Sequence, residues 1–537
     1  MLPVPTVGAV AAFVGCVAML GIGIATGSGP VIVTAGVCFS ALGLALAVTM
    51  PLGRRVRGQR LEFAWWLGHG DPAAGGGAVV PGAPFEVRCY IRHRGPAPLL
   101  LAGLAPIVPG GARIVDDAGD VLVLSPRART EFSFRLSAPA AGRVVLHGLA
   151  VALRGPLGLF EVPLYFPNPL AIKVLPRAAR LRGAARLVSG LSIERSGRTQ
   201  LRRRGGGTEL YELRELQPGD PFKSIAWKAS ARTGKLMVKE VEEEVQETRW
   251  IVLDVSGTMR GGLLGSRKLD FAVEAAAAEA RRAVDEGDRI GLITVDGRTL
   301  SYVPPREGAP QLIHVYDALL AATEVVDRDL TDVDDDEVVG IVARYVRNQD
   351  GVDFASRDRT GWDVGALVKH AQRGLEDEKR REEVVAASSA GATLRRFCRA
   401  RGIPLPYRPD PRDGSKGPGI AEALRRAAGT TREPSSIVVV TDFDGVGDTD
   451  SLEAAVKLLR AHGHGVSFVV PDALSFAPPP ADELERRLFV VYGRGEQRRV
   501  REARALLGRL GVPVLIATRR DAAGVVLHRA HHRRRAA

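Results

Sequence analysis

Cysteine is scarce in this sequence: four in 537 residues, at Cys16, Cys38, Cys89 and Cys398. None stands in a Cys-x-x-Cys pair or beside a histidine at ligand spacing. That excludes a disulfide framework and a structural zinc site, and it fits reduced thiols in a cytosolic compartment. Catalytic signatures are missing too. There is no Walker A loop and no Gly-x-Ser-x-Gly elbow. His314, His370, His462 and His464 fall on expected helices or helix ends, outside any triad context. Charge is absent from Leu2 to Ala25 and again from Ile32 to Met50. Each run approaches the roughly 20 residues that carry a helix across a bilayer core.

The short uncharged link "TGSGP", Thr26 to Pro30, makes the two runs a hairpin with both ends on one side. "GRRVRGQR", Gly53 to Arg60, follows with four arginines, which places that side in the cytoplasm. A cleaved signal peptide is the alternative, but it lacks a charged start and leaves a second span. The composition is otherwise globular, with 45% hydrophobic and 25% charged residues. At this length the chain is expected to hold three or so units. The formal net charge of +13 favours anionic surfaces, lipid or nucleic acid, or else reflects abundant arginine.

After a Gly-rich link, Gly70 to Pro84, the hydrophobic period changes to two. "FEVRCYIRHRG", "TEFSFRLSAPAAG" and "RVVLHGLAVALRGPLGLF" alternate apolar and polar residues between Gly and Pro turns. They read as antiparallel strands of a β-sandwich-like domain over 61–176, a structural or docking module. From Arg177 to Arg204 the chain is basic, with Glu194 its one acid and no aromatic residue for base stacking. A solvated linker is the first reading and contact with lipid or an acidic partner the second. Nucleic acid comes last.

The second half alternates apolar strands with helices. "TRWIVLD", "RIGLITVDG", "TLSYVPP", "SIVVVTDFDG", "GVSFVVPDA" and "VPVLIATRR" read as strands, with helices from Lys268 and after Asp450. The pattern implies a mostly parallel, doubly wound α/β sheet over 248–537, with ligands at the carboxyl ends of its strands. A helical insertion interrupts it at about 327–413, opening on the acidic "DRDLTDVDDDEVV". At one strand end Asp254, Ser256 and Thr258 alternate, and Asp442 ends another. If the two strands are neighbours, these oxygens converge and suit a hard cation such as Mg²⁺. A nucleophilic Ser256 lacks the elbow glycines, and Ser256 also stands where a phosphoryl-transfer pair needs a second aspartate. A basic tail, "HRAHHRRRAA", closes the chain.

Between the linker and the α/β region lies "ELYELRELQPGDPFKSIAWKASARTGKLMVKE", Glu209 to Glu240, where charged and apolar residues alternate tightly around a Pro218-Gly219 turn. This stretch resembles the signature of the bacterial domain of unknown function 58 family. Glu209, Tyr211, Arg214, Pro218, Gly219, Asp220, Trp227, Lys228 and Arg232 carry the likeness. "RGPLGLF" is similar to that family's "DPLGLF", with Arg154 and Gly155 ahead of Pro156. The resemblance implies two N-terminal spans, a β region, the 177–247 linker and signature, and a von Willebrand factor A-like domain. It further implies a MoxR-type AAA+ ATPase as partner and a chaperone-like part in assembling or activating an unidentified client protein.

In A-domains Asp-x-Ser-x-Ser, a distant Thr and a distant Asp form a metal-ion-dependent adhesion site. Asp254, Ser256, Thr258 and Asp442 match that pattern in part. The threonine of a "GGT" loop is replaced by Lys416-Gly417-Pro418-Gly419, and a lysine ammonium there repels a divalent ion. The expectation is a non-enzymatic protein-interaction scaffold, multi-pass in a bacterial inner membrane with its soluble domains cytoplasmic. The alternatives are a hydrolase using Ser256 or a metal at Asp254, and an anionic-lipid or nucleic-acid adaptor acting through the linker.

Overall fold

The computed structural model describes residues 3–56, 61–68, 79–108, 112–116, 121–180, 204–217, 220, 222–242, 246–324, 331, 333–356, 361–375, 390–405, 416–431, 433–447 and 449–532. They divide into two compact units: Met1–Leu175 with Glu324–Arg408, and Pro176–Thr323 with Pro409–Ala537.

The first unit opens with helices Val7–Thr26 and Gly29–Val56, both long and apolar enough to cross a membrane. Thr6 caps the first by accepting from the Ala9 N–H at 3.3 Å, and Gly27 ends it in a left-handed turn at φ 65°. The link between them is thus only Gly27 and Ser28, shorter than the sequence suggests. Two antiparallel sheets follow. One runs in the order Val4–Pro5, Phe160–Val174, Gly142–Arg154, Leu99–Ile107, Val121–Leu124. The other runs Leu61–Leu67, Pro84–His93, Arg129–Ser137, Arg113–Asp116. Alternation does what it should: Phe85, Val87, Cys89 and Ile91 point inward and join Leu101, Leu146, Leu149 and Val151 from the other sheet in one core. Burial pushes the Cys89 thiol up to about 12, so it stays protonated.

The helical insertion is continuous in sequence with the α/β region but groups in space with this β unit. Helices Asp335–Gln349, Val364–Leu375 and Ala390–Arg401 share a core of Val338, Val342, Leu367, Leu394 and Phe397. The acidic stretch starts the first helix, where Asp334 accepts from the Glu337 N–H at 2.8 Å. Tyr345 then hydrogen-bonds His147 Nδ1 at 2.9 Å, and Gly402 lies against Val145 so closely that a Cβ would stand 2.8 Å from its side chain. Small and aromatic residues at these contacts, not chain order, decide where the insertion packs.

In the second unit six strands form one sheet in the order Thr299–Arg306, Arg289–Val295, Thr248–Asp254, Ser436–Val440, Gly465–Pro471, Val514–Ala517. The first pair is antiparallel and the rest are parallel. The central strands are buried along their whole length, as their unbroken apolar runs require. Helix Lys416–Thr430 packs Ile420 and Leu424 into the same core as Val252 and Val439. Its first turn is set by close approach: a Cβ on Gly419 would stand 2.5 Å from the Asp296 carbonyl oxygen and 2.8 Å from the Gly297 carbonyl carbon. Backbone cannot swing aside. Gly419→Ala should therefore lower stability by about 1–3 kcal/mol, read as a drop in the thermal midpoint. An unchanged midpoint would show that this helix start is not held by that contact.

Candidate functional site

Strand pairing builds the site. Leu253 lies in register with Val440, so the loops that follow these two parallel strands leave the sheet side by side. Asp254 ends the first strand, and Asp442 stands two residues beyond the second. Asp254 Oδ1 accepts the Ser256 N–H at 2.9 Å, and Oδ2 accepts the Thr441 hydroxyl at 2.8 Å. Ser256 Oγ and Thr258 Oγ1 are 3.1 Å apart, and the Thr258 hydroxyl donates to Asp442 Oδ1 at 3.1 Å. Phe443 adopts a left-handed φ of 61°, and the next N–H, of Asp444, donates back to Asp442 Oδ1 at 3.1 Å. Asp254, Ser256, Thr258 and Asp442 are thus brought together.

At their centre stands Lys416. Its ammonium lies 2.6 Å from Asp254 Oδ2, 2.7 Å from Asp442 Oδ1 and 2.8 Å from Thr258 Oγ1, and its side chain is fully buried. A second ammonium, of Lys268, donates to Asp442 Oδ2 at 2.5 Å. Two buried carboxylates face two buried ammoniums, so the cluster is neutral as a whole, which a site at this depth requires. Burial alone would pull the Lys416 ammonium down, but Asp254 and then Asp442 outweigh it and hold it above the ordinary lysine range. Burial likewise pushes Asp442 up, and Lys416 with Lys268 overrides that and holds it well below the usual carboxylate range.

The donor set does not fit a divalent ion. Magnesium needs oxygens at about 2.0–2.1 Å around one point. The oxygens of Asp254, Thr258 and Asp442 converge instead on a nitrogen at 2.6–2.8 Å. Nor is the cluster arranged for nucleophilic chemistry. Ser256 is fully buried and its hydroxyl is bonded to Thr258.

The signature residues lie elsewhere in the same unit. Glu209, Tyr211 and Arg214 sit on strand Arg204–Glu215, paired antiparallel with Met237–Glu242. Pro218 and Gly219 lie outside the described residues, as does most of the basic linker, 181–203. Asp220 closes its turn by accepting the Gln217 N–H at 2.8 Å. Trp227, Lys228 and Arg232 belong to a short helix, Trp227–Thr233. That helix is fastened to the hairpin from beneath: Ile225 and Val238 are buried, and Ser230 Oγ accepts the Met237 N–H at 2.8 Å. Exposed apolar residues stand on it and beside it in the chain. Phe222 is 80% exposed, Trp227 64% and Leu236 47%. Phe222 and Leu236 were not among the sequence candidates. The alternation of charge drew attention to the segment, but nothing in it shows which apolar residues face out.

Lys416→Met leaves the charge of Asp254 buried without its partner. At pH 7 the substitution should cost about 3–5 kcal/mol. In the native chain Asp442 is depressed in the fold and near 3.9 unfolded, so its share of stability is present above about pH 4 and lost as the pH falls through the folded value. Lys416 is raised, so its share is present below about pH 10 and lost only as the pH rises through its folded value. Thermal midpoints at pH 7 check the cost: the variant should melt well below the native protein. A variant as stable as the native protein at pH 7 would contradict this reading.

A family model described as "Protein of unknown function DUF58" matches residues 212–344. An uncharacterized protein of Mycobacterium tuberculosis (strain ATCC 25618 / H37Rv) is 34% identical over 104 residues, 19% of this chain and 33% of that protein. The uncharacterized protein YeaD of Bacillus subtilis (strain 168) is 23% identical over 248 residues, 44% of this chain and 58% of YeaD. The chain therefore spans about a third of the first relative and little more than half of the second. Among solved structures, the conserved hypothetical protein BatB from Bacteroides thetaiotaomicron aligns at 11% identity over 54% of this chain and 100% of that one, with a TM-score of 0.22, too low to argue from. Over residues 212–344, then, the chain is similar to the DUF58 family.

Proposed function

We propose that this protein is a membrane-anchored interaction scaffold that binds a partner protein through the outer face of its signature segment. One observation carries the reading: Trp227, on a helix fastened to the hairpin, and Phe222 and Leu236, close on either side of that helix in the chain, are exposed amid exposed Lys223, Lys228 and Arg232. Water disfavours such a face unless something covers it, and buried tryptophans with nearby arginines dominate protein–protein binding energies. The two N-terminal helices would act as a hairpin anchor in a bacterial inner membrane, with the arginines after the second keeping both units cytoplasmic. The six-stranded sheet, with Asp254, Ser256, Thr258 and Asp442 at its strand ends, supports a von Willebrand factor A-like domain whose cation position is taken by Lys416. From the family resemblance, the partner is a MoxR-type AAA+ ATPase, and the joint task is the assembly or activation of other proteins.

Two other readings have less behind them. A hydrolase needs a reachable nucleophile, and Ser256 is fully buried. An adaptor for lipid or nucleic acid through the basic linker has no feature of the described residues in its favour.

The detergent-solubilised full chain should retain a MoxR-type ATPase. Phe222→Ala and Trp227→Ala should each weaken that binding by roughly ten- to a hundredfold, without moving the thermal midpoint. Retention unchanged in both variants would remove the proposed face. Failure of the native chain to bind any such ATPase, together with a hydrolytic activity that Ser256→Ala abolishes, would overturn the scaffold reading altogether.

A further inference from the structure

The turn Pro156–Gly158, inside "RGPLGLF", is clamped between the ends of the two apolar helices. Thr6, the cap of the first helix, donates its N–H to the Leu159 carbonyl at 3.0 Å, and its hydroxyl reaches the Gly158 and Leu159 carbonyls at 2.9 and 3.0 Å. Val4 and Pro5 pair with Glu161 and Phe160. On the other side, a Cβ at Gly155 would stand 2.1 Å from Thr49 Oγ1, in the last turns of the second apolar stretch, Gly29–Leu52. The turn therefore stands level with the first residue of one apolar stretch and the end of the other.

Leu157 sits at its tip and is unfavourable there twice over. Its backbone is left-handed, at φ 59° and ψ 6°, a conformation that strains any residue with a branched side chain. Its side chain is also 86% exposed. Glycine would relieve both problems, and Gly158, left-handed at φ 67°, does so at the next position. Water gives no reason to keep a leucine at 157. A bilayer does, because the neighbouring surface is apolar as well: Val4 is 52% and Val7 88% exposed.

We propose that Leu157 inserts into the interfacial layer of the lipid bilayer, as a foot that sets how closely the β unit is held against the membrane surface. The inference rests on the two helices forming a membrane anchor. Lipid is favoured over a protein partner because the turn is fixed to both helix ends at the level where they become apolar. A partner would have to reach it among headgroups.

The test uses the full chain reconstituted in phosphatidylcholine–phosphatidylglycerol vesicles whose acyl chains carry bromine at shallow or deep positions. Leu157→Trp is compared with the parent protein's own tryptophan signal, and Phe13→Trp, within the first helix, reports the anchor itself. The expected result is a blue-shifted emission from the tryptophan introduced at position 157, quenched more by shallow than by deep bromine. Emission from the tryptophan introduced at position 13 should be quenched by deep bromine. If position 13 is quenched and position 157 is not, the foot is overturned while the anchor stands. If neither is quenched, the anchor reading fails and the foot with it. Leu157→Cys carrying a polarity-sensitive fluorophore, with the labelled parent as blank, gives the same readout should the tryptophan variant misfold. An emission that stays water-like at 157 in that variant, with position 13 quenched, counts against the proposal equally.

Discussion

The lysine ammonium between Asp254 and Asp442 is the contact on which the strand-end face of the second unit depends. Two carboxylates at the carboxyl ends of adjacent buried strands repel each other and are strongly destabilised by lost water. Some cation must sit between them. Here Lys416 supplies it, a fixed charge delivered by the start of a helix whose first turn lies tight against the 296–298 backbone. Lys268 balances the remaining charge. A tethered ammonium differs from a metal ion in what it allows. A metal keeps open positions for a ligand's oxygen, whereas Lys416 is fully engaged by Asp254, Thr258 and Asp442 and is sealed from solvent. The strand-end cluster therefore works as a brace for the loops around it, and the proposed binding is assigned to other surfaces.

Such surfaces are those where apolar groups are held in water by structure that could have hidden them. Phe222 and Trp227 are one case, with a well-packed Ile225, Val238 and Ser230 beneath them. Leu157 is another, in a turn fixed by hydrogen bonds from Thr6. The two lie in different units, and the proposals give them different media, protein for the first and lipid for the second. Under the proposed scaffold reading, a protein that holds a partner near a membrane needs both kinds of contact.

Much of the fold was legible because hydrophobic period follows burial. The three alternating stretches of the β region and the six apolar strands of the α/β sheet appear where the sequence places them. The convergence of Asp254 and Asp442 was visible only as a condition, since nothing local in the sequence says that Thr248–Asp254 pairs with Ser436–Val440. Lys416 stood out because it occupies a threonine's place. Lys268 and Thr441 did not, although Lys268 had a signal: like Lys416, it is the first residue of a helix, where the dipole disfavours positive charge. A lysine at such a position asks for a fixed carboxylate nearby. The docking of the insertion was illegible for a different reason. It depends on Tyr345 meeting His147 and on Gly402 meeting Val145, pairs far apart in sequence.

The most direct test of the brace is to offer the native chain a paramagnetic divalent ion. Mn²⁺ can stand in for Mg²⁺ at oxygen sites, and electron paramagnetic resonance separates free from bound ion. With Lys416 in place the free Mn²⁺ signal should be undiminished by the purified chain at neutral pH. Loss of one equivalent of that signal per chain, abolished by Asp254→Asn, would contradict the central claim that a lysine holds the cation position.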